Sequence, residues 1–517
     1  MKPIRLVKGF LTVGLWTFGS RLLGFVRDMM IAAYLGSGPV AEAFLVSFSL
    51  PNMFRRFFAE GAFNMAFVPI FAKKVEGQDD PQGFAEDAFK GLFAVLMVFT
   101  VIGTMAMPWL VWAMASGFHG DERFTLAVLY GRIGFSYILF ISLVALLSGI
   151  LNTFGKFTEA SLVPVLMNLV FIVALWLAGR LGWDYGLTLA WAVPVTGVAQ
   201  FLFTWVAARQ LGYRLWPGIP RMTPDLKRLL IIAGPAILAG GVVQINLLVG
   251  RQVASFTEGA VAWLSYADRL YQLPLGVVGI AIGTVLLPVL SRHLRAGDAA
   301  ASRESFSRGA EFALFLTLPA AVALVVIATP LISVLYDRGA WTAKDTWATA
   351  LALAAYGVGL PAFVLQKVLQ PLYYAREDTR TPFRYAVVSM VVNAGFAVGM
   401  MPVMGFMAAA LATSVSGWVM VAQLWWGARG MGAEARPDAR FWKRFPRIVL
   451  ASAAMGAALW LMAGWLGPML MRHGGARWGA LGILCGGGIA IYFVLGALIG
   501  AYSPGEIRSR LRRPAKG

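Results

Sequence analysis

The sequence is poor in charge. Only 13% of its 517 residues are charged, against roughly 25% in a soluble globular protein, and 59% are hydrophobic. That excludes a soluble fold. The chain reads as an all-α polytopic membrane protein, to which soluble domain arithmetic does not apply. There is one cysteine, Cys485, so no intrachain disulfide and no cysteine metal cluster can form. The three histidines, His119, His293 and His473, fall near loops, too scattered for a metal site or a catalytic triad. Long loops are scarce too. The largest connections, about 73–90, 209–228, 292–308 and 429–447, are too small for a catalytic soluble domain. The chain is therefore read as a non-enzyme with no cofactor. Acid is the scarcer sign, 25 residues against 44 basic ones. Nucleic acid is still not the expected partner, because most of the positive charge lies in short loops between apolar runs, as membrane topology would place it. The opening MKPIRLVKGFLTVGLW starts like a signal peptide. Arg21 and Arg27 follow at once, with no small-residue cleavage site, so it reads as a retained first helix.

What is present is a series of long apolar runs. At roughly 20 apolar residues per crossing, the sequence predicts fourteen transmembrane helices. They centre near residues 22, 57, 100, 138, 168, 198, 240, 275, 318, 360, 392, 415, 455 and 488. With the N-terminus in the cytoplasm, thirty basic residues fall on that side and seven outside: Arg123, Arg132, Arg180, Arg338, Lys344, Arg472 and Arg477. This is a strong positive-inside bias, and an even number of spans puts the C-terminus inside as well. The basic tail from Arg508 to Lys516 suits a surface of anionic lipid.

The chain also repeats itself. AFVPIFAKK (66–74) matches VLLPVLSRH (285–293), and MPWLVW (107–112) matches TPLISV (329–334). NTFGKFTEASLVPVLMN (152–168) matches EDTRTPFRYAVVSMVVN (377–393), and Pro51 corresponds to Pro274. The near-constant offset is better evidence than any one match. Residues 1–220 and 221–430 are therefore read as two six-helix lobes in parallel repeat, with 431–517 adding two C-terminal helices and a basic tail. Two such lobes can rock about a site between them and open to alternate faces.

The charges that break the apolar runs are few and placed together in the chain. A charged side chain at membrane depth costs about 2.5–3.5 kcal/mol on insertion scales, so such residues face a wet cavity or a partner. In helix 1, Ser20, Gly24, Arg27 and Asp28 share one stripe, with Arg21 turned about 100° away. Gly19 and Gly24 offer a place to bend. In the second run, Pro51 is expected to break the helix just before Asn52 and Arg55. Arg56 and Glu60 follow at i, i+4, a spacing that also suits an intrahelical pair. Further on, Asp268 and Arg269 precede Pro274. Arg251 counts among the intramembrane basic residues, with the outer interface as its alternative place, and Lys367 is a lone intramembrane lysine. Arg21, Arg27, Arg55, Arg56 and Arg269 outnumber Asp28, Glu60 and Asp268, which leaves a cationic excess. Arginine stays charged and offers a planar fork that fits phosphate oxygens, so a diphosphate is a natural counter-ion. The expected substrate-binding residues are Arg21, Arg27, Arg55 and Arg269. Ser20, Asp28, Asn52, Arg56, Glu60 and Asp268 are expected to gate or support them.

These residues carry a resemblance. SRLLGFVRD (20–28), LPNMFRRFFAEGAF (50–63), FVPIF (67–71), ILNTFGKF (150–157), YADRLYQLP (266–274) and GTVLLP (283–288) closely resemble the MurJ/MviN family. That family is the lipid II flippase branch of the multidrug/oligosaccharidyl-lipid/polysaccharide exporter superfamily. The resemblance runs over essentially the whole chain. It implies fourteen helices, with two lobes around a central cationic cavity and a terminal pair that helps form a groove for a polyprenyl tail. It implies lipid II, the undecaprenyl-diphosphate-linked disaccharide-pentapeptide, as substrate, and the bacterial inner membrane as location. The alternative is an exporter of another polyprenyl-linked glycan, or a multidrug exporter of the same superfamily. A coupling ion or the membrane potential is the expected energy source. Two features depart from the family pattern. Glu42 stands in VAEAF where relatives often show Asp, and helix 7 (about 229–250) has no carboxylate.

Overall fold

A computed structural model describes residues 3–55, 62–471 and 474–503. Side chains are described over 13–55, 66–232, 248–279, 282–283, 285–471 and 474–503. Among these residues every regular element is helical. The chain divides into two compact units, Met1–Ala262 with Arg338–Trp341, and Trp263–Asp337 with Thr342–Gly517.

The first unit holds α1 (Pro3–Leu35), α2 (Pro39–Arg55), α3 (Ala62–Gly77), α4 (Pro81–Met105) and α5 (Met107–Met114). It continues with α6 (Glu122–Gly134), α7 (Tyr137–Thr153), α8 (Phe157–Leu181), α9 (Tyr185–Gln210) and α10 (Pro224–Ser255). Helix starts are written locally. Asp80, Asp184 and Thr223 each accept the backbone N–H of the third helical residue, Gly83, Leu187 and Leu226. Pro81 and Pro224 occupy the first helical position, where no N–H is needed. Gly182, at φ 70°, ends α8 in a left-handed conformation. Within this unit α1 lies along α8, α8 and α7 pack on α9, and α2 packs on α6. Phe44, Phe89, Phe135 and Phe171 are fully enclosed between them.

The second unit holds α11 (Ala260–Arg295, whose first turn lies in the first unit), α12 (Ala299–Val326), α13 (Ala328–Tyr336) and α14 (Ala343–Tyr374). After these come α15 (Arg380–Met404), α16 (Met407–Ala428), α17 (Ala439–Leu470) and α18 (Gly475–Leu498). A reciprocal capping box starts α14: Thr342 accepts from the Asp345 backbone, and Asp345 accepts from Thr342. Its apolar window is 72% buried, against 17% for α15, so α14 is the enclosed helix of this unit and α15 is on its rim. Helices α12 and α16 flank α14, and α17 packs on α12 and α18.

Nine helices among the described residues are long and apolar enough to cross a membrane, or ten if α6 and α7, bent by 40°, count as one span. The element order recurs. Helices α4, α5, α6–α7, α8 and α9 start at 81, 107, 122, 157 and 185. Helices α12, α13, α14, α15 and α16 start at 299, 328, 343, 380 and 407. Where the first series is bent between α6 and α7, the second has the single helix α14.

Candidate functional site

The charged stripe of α1 meets α8. Asn168 of α8 donates from Nδ2 to the Ser20 carbonyl at 2.8 Å and to Ser20 Oγ at 3.2 Å. Its Oδ1 accepts from Arg27 Nη1 at 3.0 Å. The approach is close because Gly24 has no side chain: a Cβ there would lie 3.5 Å from both amide atoms of Asn168. Arg27 curls back on its neighbour, with Nε and Nη2 at 3.0 and 2.7 Å from Asp28 Oδ1. The guanidinium also sits 5.6 Å from the centre of the Phe171 ring. Arg27 is 3% exposed and Asp28 7%. A buried arginine is tolerated here because its charge is answered by a carboxylate and its remaining protons by an amide oxygen.

The other expected residues are placed differently. Arg21 is exposed on α1. Helix α2 does not end at Pro51, as the proline predicts, but runs on to Arg55. Proline cannot supply a backbone donor, and the very next residue, Asn52, donates from its side chain to the Phe48 carbonyl one turn back at 2.9 Å. Likewise α1 continues as one helix past Gly19 and Gly24. Arg55 is half-buried at the end of α2. Arg56 and Glu60 lie outside the described residues. Asp268 and Arg269 belong to the second unit. Asp268 accepts from Gln272 one turn on, and Arg269 is exposed. Lys367 is exposed on α14, its Cγ 3.9 Å from the place a Cβ on Gly279 would take. No group of three or more His, Cys, Asp or Glu residues suited to a metal occurs among the described residues.

Two polar centres were not anticipated as sites. One is Asn168, whose only signal in sequence is that it closes a repeat string matched by Asn393. That residue in turn donates to Ser416 Oγ at 3.2 Å. The other is Glu42, which is 0% exposed. It pairs with Arg123 Nη1 at 2.9 Å and accepts from the Val261 N–H at 2.9 Å. Asp121 holds the same guanidinium at 2.6 Å, and Arg251 donates to the Leu45 carbonyl at 3.3 Å. In the second unit, an apolar cavity of about 340 Å³ opens between α12, α17 and α18. Phe315, Pro319, Met455, Leu459, Cys485 and Tyr492 line it.

Long apolar helices with guanidinium–carboxylate pairs buried among them, Arg27–Asp28 and Glu42–Arg123, define a polytopic helical membrane protein. The fold agrees. An inward-facing multidrug resistance MATE family transporter of the MOP superfamily matches 80% of this chain and 95% of its own, with TM-score 0.67 at 17% identity. A solved structure described as lipid II flippase MurJ, inward closed conformation, matches 97% of this chain and 100% of its own, with TM-score 0.79 and 25% identity. A family model described as lipid II flippase MurJ matches residues 31–471. In Rhizobium tropici, a protein named probable lipid II flippase MurJ is 44% identical, over 98% of this chain and 97% of its own. The lipid II flippase MurJ of Burkholderia cenocepacia is 38% identical over 75% and 77%. The chain belongs to the lipid II flippase MurJ family.

Proposed function

We propose that this protein is a lipid II flippase of the bacterial inner membrane. It moves the undecaprenyl-diphosphate-linked peptidoglycan precursor from the cytoplasmic to the periplasmic leaflet without bond chemistry. The observation that carries this reading is the 44% identity to two proteins named probable lipid II flippase MurJ, along nearly the whole of both chains. The finer architecture is part of the same proposal. Fourteen spans form two six-helix lobes, 1–220 and 221–430, with a terminal pair beyond them and both termini in the cytoplasm. The recurrence of α4–α9 as α12–α16 supports the repeat.

In the proposed cycle Arg21, Arg27, Arg55 and Arg269 line a cationic cavity and capture the diphosphate. Asp28 holds Arg27 while no substrate is bound, as the 2.7 Å pair suits, and Glu60 does the same for its neighbours. Ser20, Asn52, Arg56 and Asp268 support the set. The polyprenyl tail stays in an apolar environment, for which the cavity between α12, α17 and α18 offers one. The lobes then rock, and a coupling ion or the membrane potential supplies the energy.

The test is lipid II exposure in cells that depend on this protein. Arg→Ala at each of the four arginines is expected to abolish exposure at normal membrane abundance. Normal exposure with all four variants would overturn the assignment of the site. Failure of the unaltered protein to replace a missing lipid II flippase would overturn the function.

A further inference from the structure

Two loops of the first unit close on two helix ends in the same way. At the end of α1, the Ala340 N–H donates to the Ala33 carbonyl at 2.8 Å. A Cβ on Gly339 would collide with that same carbonyl oxygen, and Gly339 holds φ 63°. On the facing turn, Gly36 has φ 59°, and a Cβ there would lie 2.7 Å from the Ala340 carbonyl oxygen. At the end of α10, the Gly117 N–H donates to Ser255 Oγ at 3.0 Å, and Ser116 donates to Gln252 Oε1 from N and Oγ at 2.7 and 2.9 Å. A Cβ on Gly117 would lie 2.5 Å from the Ser255 carbonyl carbon. Each glycine thus lets a loop backbone touch the backbone of a helix end, a distance that any side chain would prevent.

The positions obey the repeat. Gly117 sits between α5 and α6, and Gly339 between α13 and α14; α1 and α10 open the two copies. So each contact joins a loop of one copy to the first helix of the other, and the two contacts are exchanged versions of one design. We propose that Gly117 and Gly339 are a repeat-related pair of backbone latches. They hold shut the face on which α1 and α10 end, and both must part when that face opens. The transport part of this inference rests on the flippase reading; the latch itself does not. Backbone contacts of this kind are made or lost as units, which suits a two-state element.

Buried Ala32 and Ala254 lie beside the two latches, 0% and 1% exposed, and make paired reporters. In a Cys485→Ser background, Ala32→Cys or Ala254→Cys is labelled in whole cells with a membrane-impermeant maleimide. Gly339→Val is expected to raise labelling at position 32, and Gly117→Val at position 254, each at least about five-fold by shifting the population toward the open face. Gly339→Ala and Gly117→Ala at unchanged membrane abundance should give the same direction and serve where valine lowers expression. Lipid II exposure should fall with each. Unchanged labelling for both alanine variants at normal abundance would overturn the latches. Raised labelling in a protein that never supports lipid II exposure would keep the latches and remove the flippase reading.

Discussion

Arg27 is buried in a helix packing, so its charge must be answered on the spot. Asp28 supplies the counter-charge and Asn168 the second acceptor. Removing one partner of a buried ion pair costs about 3–5 kcal/mol, because the other is left buried and unanswered. Asp28→Ala should therefore lower the thermal midpoint in detergent more than Asp28→Ala combined with Arg27→Ala. Additive losses in that cycle would show that the two groups do not couple. Asn168→Ala should cost about 1–3 kcal/mol, as it strips an acceptor from Arg27 and a donor from Ser20. Glu42 sets up a second contrast. Its carboxylate is fully buried and depends on Arg123, whereas Asp121, on the same guanidinium, is 40% exposed at its side chain. Arg123→Leu should destabilise the protein clearly more than Asp121→Ala, which unfolding midpoints would show.

At the scale of elements, α17 is fastened to α12 by charge. Glu311 of α12 accepts from Arg308 and from Arg444, the latter at 2.5 Å, and forms a looser ion pair with Arg440 at 3.6 Å. Arg308 also reaches Asp438, the N-cap of α17. Burial alone would push the Asp438 carboxyl up. The Phe441 N–H and Arg308 pull it further the other way, so it titrates below the ordinary carboxylate range. A depressed folded value means this stabilisation is present above the unfolded carboxylate pKa of about 3.9 and is lost as pH falls through the folded value. Hydrogen exchange of residues 439–445 should thus stay slow from neutral pH down to about 4, relative to the intrinsic rate, and rise in protection-corrected terms only below that. Glu311→Gln should loosen the same residues at neutral pH. Loosening that began near pH 6 would point to other groups.

At the scale of the whole molecule, the proposed topology makes a plain prediction. Reporters active only outside the cytoplasm should work when fused in the 119–121 and 338–340 turns and fail at either terminus. A fluorescent protein at the C-terminus should fold and glow. Activity of the outside reporter at the C-terminus would reverse the orientation drawn from the positive-inside bias. Arg27 and Asp28 of the buried cluster were legible because the cost of charge in an apolar run makes such residues conspicuous, and they stand out in SRLLGFVRD for that reason. Asn168, Glu42 with Arg123, and the glycine contacts were not legible as partners. An amide in an apolar helix or a glycine in a turn has many ordinary uses, and its partner lies far away in the chain.

What the amino-acid sequence determined by itself was everything that depends on local solvation and periodicity. Apolar runs become helices because backbone groups in lipid must be satisfied within the segment, and Asp or Thr before a run caps it. The stripe of Ser20, Gly24, Arg27 and Asp28 follows from helical spacing alone. Tertiary structure decided which groups meet. It set Asn168 against that stripe and brought Gly117 and Gly339 onto the ends of α10 and α1. Such meetings depend on how helices pack across more than a hundred residues of chain, and local periodicity carries no information about that distance.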